Sequence, residues 1–169
     1  MSRPLPNEYP VYFKRYIDQV PESDLLTAFD KQAIEIKSFL SRISEEKSTH
    51  AYAPDKWTIK QLLQHIIDAE RIFCYRSLCF ARKDKTNLPG FEENDYAATS
   101  AAENRSWKSL IEEFLVVREA SYLLFKSFSN EAMETIGTAN NNPVTVKSIG
   151  FIILGHYYHH KKILLERYL

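Results

Sequence analysis

Four stretches of the chain repeat apolar residues at the three- and four-residue spacing of an amphipathic helix. The first follows Pro21, with Ser23 or Asp24 available as its cap. It carries Leu25, Phe29, Ile36, Leu40 and Ile43, and is predicted to end near Ser44. The second opens on the strongest start signal in the sequence. Thr58 and Gln61 have the T-x-x-Q spacing of a capping box, and Trp57 and Leu62 are placed for a hydrophobic staple. Its apolar positions run through Ile59, Leu62, Leu63, Ile66, Ala69 and Phe73 to about Phe80, and Leu88-Pro89-Gly90 marks a turn beyond it. The third begins near Ser106 and shows Leu110, Ile111, Phe114, Val117, Ser121, Phe125 and Phe128 on one side. The last is capped by Thr145 and puts Ile149, Ile153, His156, His160, Ile163 and Leu164 on one face.

Helices of this length span roughly 30–37 Å each, which predicts an all-α, four-helix bundle formed by one domain over residues 1–169. The segment 84–105, between the second and third helices, has no sustained periodicity. A link this long serves bundles as a crossover or a functional lid. The segment 129–143 reads as a polar loop, and neither a strand pattern nor an internal repeat stands out. Residues 1–21 hold four prolines and the aromatic group Tyr9, Tyr12, Phe13 and Tyr16, which suggests an arm with one short helix laid over the bundle.

Composition narrows the functional classes. Lys plus Arg and Asp plus Glu balance at 22 each, so the broad positive field of a nucleic-acid binder is missing. With 4 Gly in the chain and no GxGxxG or GxxxxGK, glycine-rich phosphate loops are disfavoured. Cys74 and Cys79 lie five apart within one helix, a spacing that suits core thiols in a reducing compartment rather than a CxxC site. No apolar run resembles a signal peptide or reaches transmembrane length, so the expectation is a cytoplasmic protein with no membrane and no nucleic-acid partner.

Candidate chemistry concentrates in Gly155-His156-Tyr157-Tyr158-His159-His160. His156 and His160 stand one above the other in the middle of the apolar stripe, where a shared divalent metal would satisfy both rings. The bland alternative is a pair of core histidines bonded to some of the 10 tyrosines. His50, His65 and His159 remain as further ligands; His65 sits at the edge of the second helix's apolar arc, and His159 about 80° off the centre of its own. Neither HExxH nor ExxH occurs, which disfavours a zincin protease and a di-iron carboxylate bundle. Glu70 and Arg118 fall near the middle of their apolar arcs and are expected to form a buried, structural pair, the alternative being that one of them faces the site and binds substrate. Tyr157 borders the stripe, with packing as its expected role and a hydroxyl presented near the metal as the alternative; Tyr158 points away toward solvent or an interface, and Asp68 is a weaker site candidate.

Trp57-Thr58, then Leu62-Leu63-x-His65-x-x-Asp68-Ala69-Glu70, and finally His156-x-x-His159-His160 resemble the DinB/YfiT superfamily. The likeness extends from the first helix to Leu169, including Leu88-Pro89-Gly90-Phe91. It implies that His65, His156 and His160 hold a divalent ion, nickel or zinc. It implies too that the protein acts on a small-molecule substrate by thiol-dependent transfer or by hydrolysis, with a low-molecular-weight thiol as one cosubstrate class and a homodimer as one assembly. A metal- or ligand-binding stress protein without turnover is the competing class. The chain departs from the family in one place: many relatives carry Glu directly after the first histidine of the C-terminal motif, where this chain has Tyr157. No residue presents itself as a protein nucleophile, so no catalytic side chain and no separate cofactor-binding residue is assigned. Phe91, Asp95 and Tyr96 of the 84–105 link, with the first and third helices, are the expected walls of a substrate pocket.

Overall fold

The computed structural model describes residues 2–169. Its long helices are α2 (Leu25–Leu40), α4 (Ile59–Ala81), α6 (Trp107–Lys126) and α8 (Val146–Ile163). Between them lie the short helices α1 (Lys14–Ile17), α3 (Glu45–Ser48), α5 (Glu93–Thr99) and α7 (Asn130–Met133). Each long helix starts on a side-chain cap. Asp24 accepts from the Thr27 amide and Ser106 from the Ser109 amide, and Thr145 accepts from the Ser148 amide. Thr58 and Gln61 complete the reciprocal box: Thr58 Oγ1 accepts from the Gln61 amide at 3.2 Å, and Gln61 Oε1 accepts from the Thr58 amide at 2.9 Å. The first helix stops at Leu40 rather than near Ser44, yet Ile43 stays buried beyond its end. The last helix closes in a π turn over Leu164–Tyr168.

Side-chain pairs fix the helix directions. Gln64 meets Arg105, Arg71 meets Glu113 and Cys74 meets Ser121, so α4 and α6 run parallel. Trp107 donates to the Leu40 carbonyl and Phe29 packs on Tyr122 and Phe125, so α2 runs against α6. Gln32 reaches Leu154 and Glu35 pairs with Lys161, which makes α2 parallel to α8. The topology is up, down, down, up. A parallel α4–α6 pair forces the chain to travel the length of the bundle between them, and this explains the 84–105 crossover.

Two connections hold structure that the hydrophobic pattern did not announce. The crossover contributes β1 (Asn87–Leu88), and the segment expected to be a polar loop contains α7 and a hairpin, β2 (Ile136–Ala139) with β3 (Asn142–Thr145). β1 pairs parallel to β2, and β2 pairs antiparallel to β3. Asn140 and Asn141 make the hairpin turn at φ of 48° and 60°, the left-handed region that Asn tolerates better than other non-glycine residues. Gly137 in β2 has no room for a side chain, because the Phe80 ring occupies the space a Cβ would need. Four-residue strands are too short to show alternation above noise.

A buried polar chain runs through the bundle and touches all four long helices. Arg118 Nη2 on α6 donates to Glu70 Oε2 on α4 at 2.8 Å, both side chains 2% exposed. Ser121 Oγ donates to the other Glu70 oxygen at 2.6 Å. Arg118 Nη1 donates to Gln32 Oε1 on α2, and Gln32 Nε2 donates to the Leu154 carbonyl on α8 at 3.0 Å. The aromatic faces of Phe29 and Phe114 flank the guanidinium at 5.6 and 5.3 Å. Two charges this far from water persist because each has a charged partner and further hydrogen bonds.

Candidate metal centre and its cavity

The antiparallel crossing of α4 and α8 brings His65, two turns into one helix, level with the end of the other. His156 Nε2 lies 3.1 Å from His65 Nε2 and 2.9 Å from His160 Nε2. Ligand-capable nitrogens of all three rings fall within 4.8 Å of one another, and no fourth His, Cys, Asp or Glu joins the cluster among the described residues. His65 lines the cavity despite its edge position on the helical wheel, with the Trp57 ring packed on it at 4.8 Å. His50 is elsewhere, against the Tyr168 ring.

Burial keeps the three imidazoles neutral at pH 7. It pulls His65 down to about 4 and takes His156 and His160 well below their ordinary range, with mutual repulsion adding to the effect. A neutral ring nitrogen carries either a proton or a lone pair. A proton on or beside His156 Nε2 can therefore make a well-aligned bond with one neighbour, leaving the second contact unsatisfied. A cation between three lone pairs would satisfy all of them, and nitrogens about 2.0–2.1 Å from a tetrahedral zinc stand about 3.3 Å apart, close to the spacing seen. The donor set fits a divalent transition metal.

Beside the histidines opens a cavity of about 540 Å³. One stripe of α4, namely His65, Ala69, Phe73 and Arg76, forms its floor together with Ile149, Ile152, His156, His159 and His160 of α8. The other walls correct the expectation from sequence. The first and third helices contribute nothing; the N-terminal arm, Gly90, Phe91 and Glu93 of the crossover, and the β2–β3 hairpin close the space instead. Of the crossover residues expected there, Phe91 lines the cavity and Asp95 and Tyr96 do not. The arm's Tyr16 packs edge-on against His156 at 5.5 Å and His159 at 5.1 Å, and Arg15 stacks over Tyr12 and Tyr16. Arm residues carry no helical stripe, so their place at the site had no signal beyond an aromatic cluster.

Residues 28–164 match the family model of the DinB superfamily. The chain belongs to that superfamily. Among solved structures, YfiT from Bacillus subtilis, described as a probable metal-dependent hydrolase with an unusual four-helix bundle topology, superposes with a TM-score of 0.63. The match covers 96% of this chain and 95% of YfiT at 13% identity, a likeness of fold. No curated protein matches the sequence significantly. No helix of this DinB chain is long and apolar enough to cross a membrane among the described residues.

Three other positions are settled by the DinB frame. Tyr157 is 1% exposed and packs near Phe114, and it does not line the cavity. Burial, together with the nearby Glu35 carboxylate, pushes its hydroxyl far up. Tyr158, expected to face solvent or an interface, is half-buried against the core. Asp68 is outside the cavity wall, bonded to Gln64 Nε2 at 2.9 Å.

Proposed function

We propose that this protein is a metal-dependent enzyme in which His65, His156 and His160 hold a divalent ion, nickel or zinc, for hydrolysis of a small molecule or its transfer to a thiol. The observation that carries the reading is the convergence of three neutral, buried imidazoles at one end of a cavity of about 540 Å³, with no fourth protein ligand among the described residues to close the set. A structural site is closed by four protein ligands, whereas a catalytic one keeps a position open for the reacting molecule. Bound there, a divalent ion would supply Lewis acidity, lowering the pKa of a water or a thiol toward neutrality.

The chain's own residues supply the rest. Trp57 holds the His65 ring and Tyr16 holds His156 and His159, each by ring contact. Phe13 and Phe73 meet edge to face at 6.3 Å, and Phe73 packs in turn on His156. Among the described residues no Ser, Thr or Cys lines the cavity, which favours water or a thiol cosubstrate as the nucleophile.

Metal analysis of protein purified without added metal or a histidine tag tests the reading, repeated on His160→Ala. The expected result is one divalent ion per chain in the natural protein and loss of it in the variant. Absence of metal from both under non-chelating conditions would return the histidines to a packing role.

A further inference from the structure

Arg76 is as buried as a core residue, 8% exposed, and it lines the cavity. Its single hydrogen bond is from Nη2 to the Pro89 carbonyl at 2.6 Å, and it makes no ion pair among the described residues. Arg118, the other buried arginine of the long helices, has a carboxylate, a carboxamide and two aromatic faces. A guanidinium offers five N–H donors in a planar fork that fits an oxyanion, and burying one without a counter-charge is unfavourable. The free donors of Arg76 are not sealed in the core; they are open to the cavity.

The rest of the wall does not balance this charge. Arg15 also lacks a carboxylate and bonds only to the hydroxyls of Tyr12 and Tyr16. Glu93 is the one carboxylate among the lining residues; it is exposed and pairs with neither arginine. The lining histidines are neutral or pulled that way by burial. Arg15 and Glu93 are both exposed, so the buried part of the wall carries the charge of Arg76 with no carboxylate paired to it among the described residues.

The position of that charge is informative. His65, Ala69, Phe73 and Arg76 are spaced i, i+4, i+8 and i+11, one face of α4. The histidine cluster and Arg76 thus stand at opposite ends of the floor, roughly 16 Å apart along the helix axis at the usual rise. Between them the surface is apolar, with Phe73 and Ala69 on α4 and Ile149 and Ile152 on α8.

We propose that Arg76 is the anion anchor of this cavity and that its ligand is a small organic acid with an elongated apolar body. The acid group seats on the guanidinium, the body lies along Phe73 and Ile152, and the far end reaches the histidines. This rests on the reading of the cavity as the substrate site and names the substrate class; the Arg76 contact itself does not require a metal.

Calorimetric titration with octanoate and with octanamide tests it, on protein as purified and again after chelation. Octanoate should bind at least tenfold more tightly than its amide in both states. Arg76→Gln should abolish that preference by weakening octanoate alone, and Arg76→Lys should retain part of it. Metal content should be unchanged in both variants, which separates this result from the His160→Ala test. Equal affinity for acid and amide, or binding of neither, overturns the proposal. A preference that vanishes on chelation overturns it too, because the carboxylate would then sit on the metal. Should Arg76→Gln not fold, the chelated natural protein and Arg76→Lys decide the outcome.

Discussion

Gly155 lies directly beneath the backbone of Tyr16. A Cβ built at position 155 would overlap the Tyr16 carbonyl, so α1 rests on α8 at a distance that only glycine permits. The residue next to it is His156, and the contact is what sets the Tyr16 ring against His156 and His159.

Gly155→Ala should therefore lift the arm without unfolding the bundle. The clash is with backbone, which cannot rotate away as a side chain could, and overpacking of this kind costs about 1–3 kcal/mol. Limited proteolysis should find new cleavage within residues 2–20, and acrylamide should quench Trp57 more readily in a Trp107→Phe background. An arm as protected as in the natural protein would show that α1 is held by other contacts.

Arg118→Ala should lower the unfolding free energy by about 3–5 kcal/mol, the loss typical of stranding one member of a buried ion pair. Glu70 would keep Ser121 Oγ but lose its counter-ion, and Gln32 would lose a donor. Denaturant unfolding measures this. Normal stability with lost activity would instead place Arg118 in the working site.

Cys74 should resist alkylation well above the pH at which free thiols react. Burial and the nearby Glu70 carboxylate push its thiol up to about 12, outweighing the Ser121 hydroxyl at 3.1 Å. At pH 8 the thiolate is then about one part in ten thousand, against roughly a quarter for an ordinary cysteine. The group is an acid with a raised folded-state pKa, so its contribution to stability is intact below about 9 and declines as pH rises toward 12. Mass-spectrometric mapping after iodoacetamide at pH 8 should find Cys74 unmodified in the native protein. Rapid native labelling would mean that the helix pair opens locally.

The amphipathic stripes determined much of this molecule locally. The caps at Asp24, Thr58, Ser106 and Thr145, the four long helices and the pairing of His156 with His160 depend on residues within a turn or two of each other, and side-chain spacing records such relations directly. The buried Glu70–Arg118 pair was legible for a related reason: a charge in an apolar arc demands a partner. The third histidine was not fixed by its own periodicity. His65 stands at the edge of its stripe, and only the antiparallel crossing of α4 with α8 brings it 3.1 Å from His156. The cavity walls were hidden for a stronger reason. Tyr16, Phe91 and the Asn140 turn come from three connections with no shared period, brought together by parallel packing of α4 and α6 and by a glycine under Tyr16. Arg76 reads in sequence as one more helix arginine. Its burial without a carboxylate exists only once the crossover has brought the Pro89 carbonyl onto it.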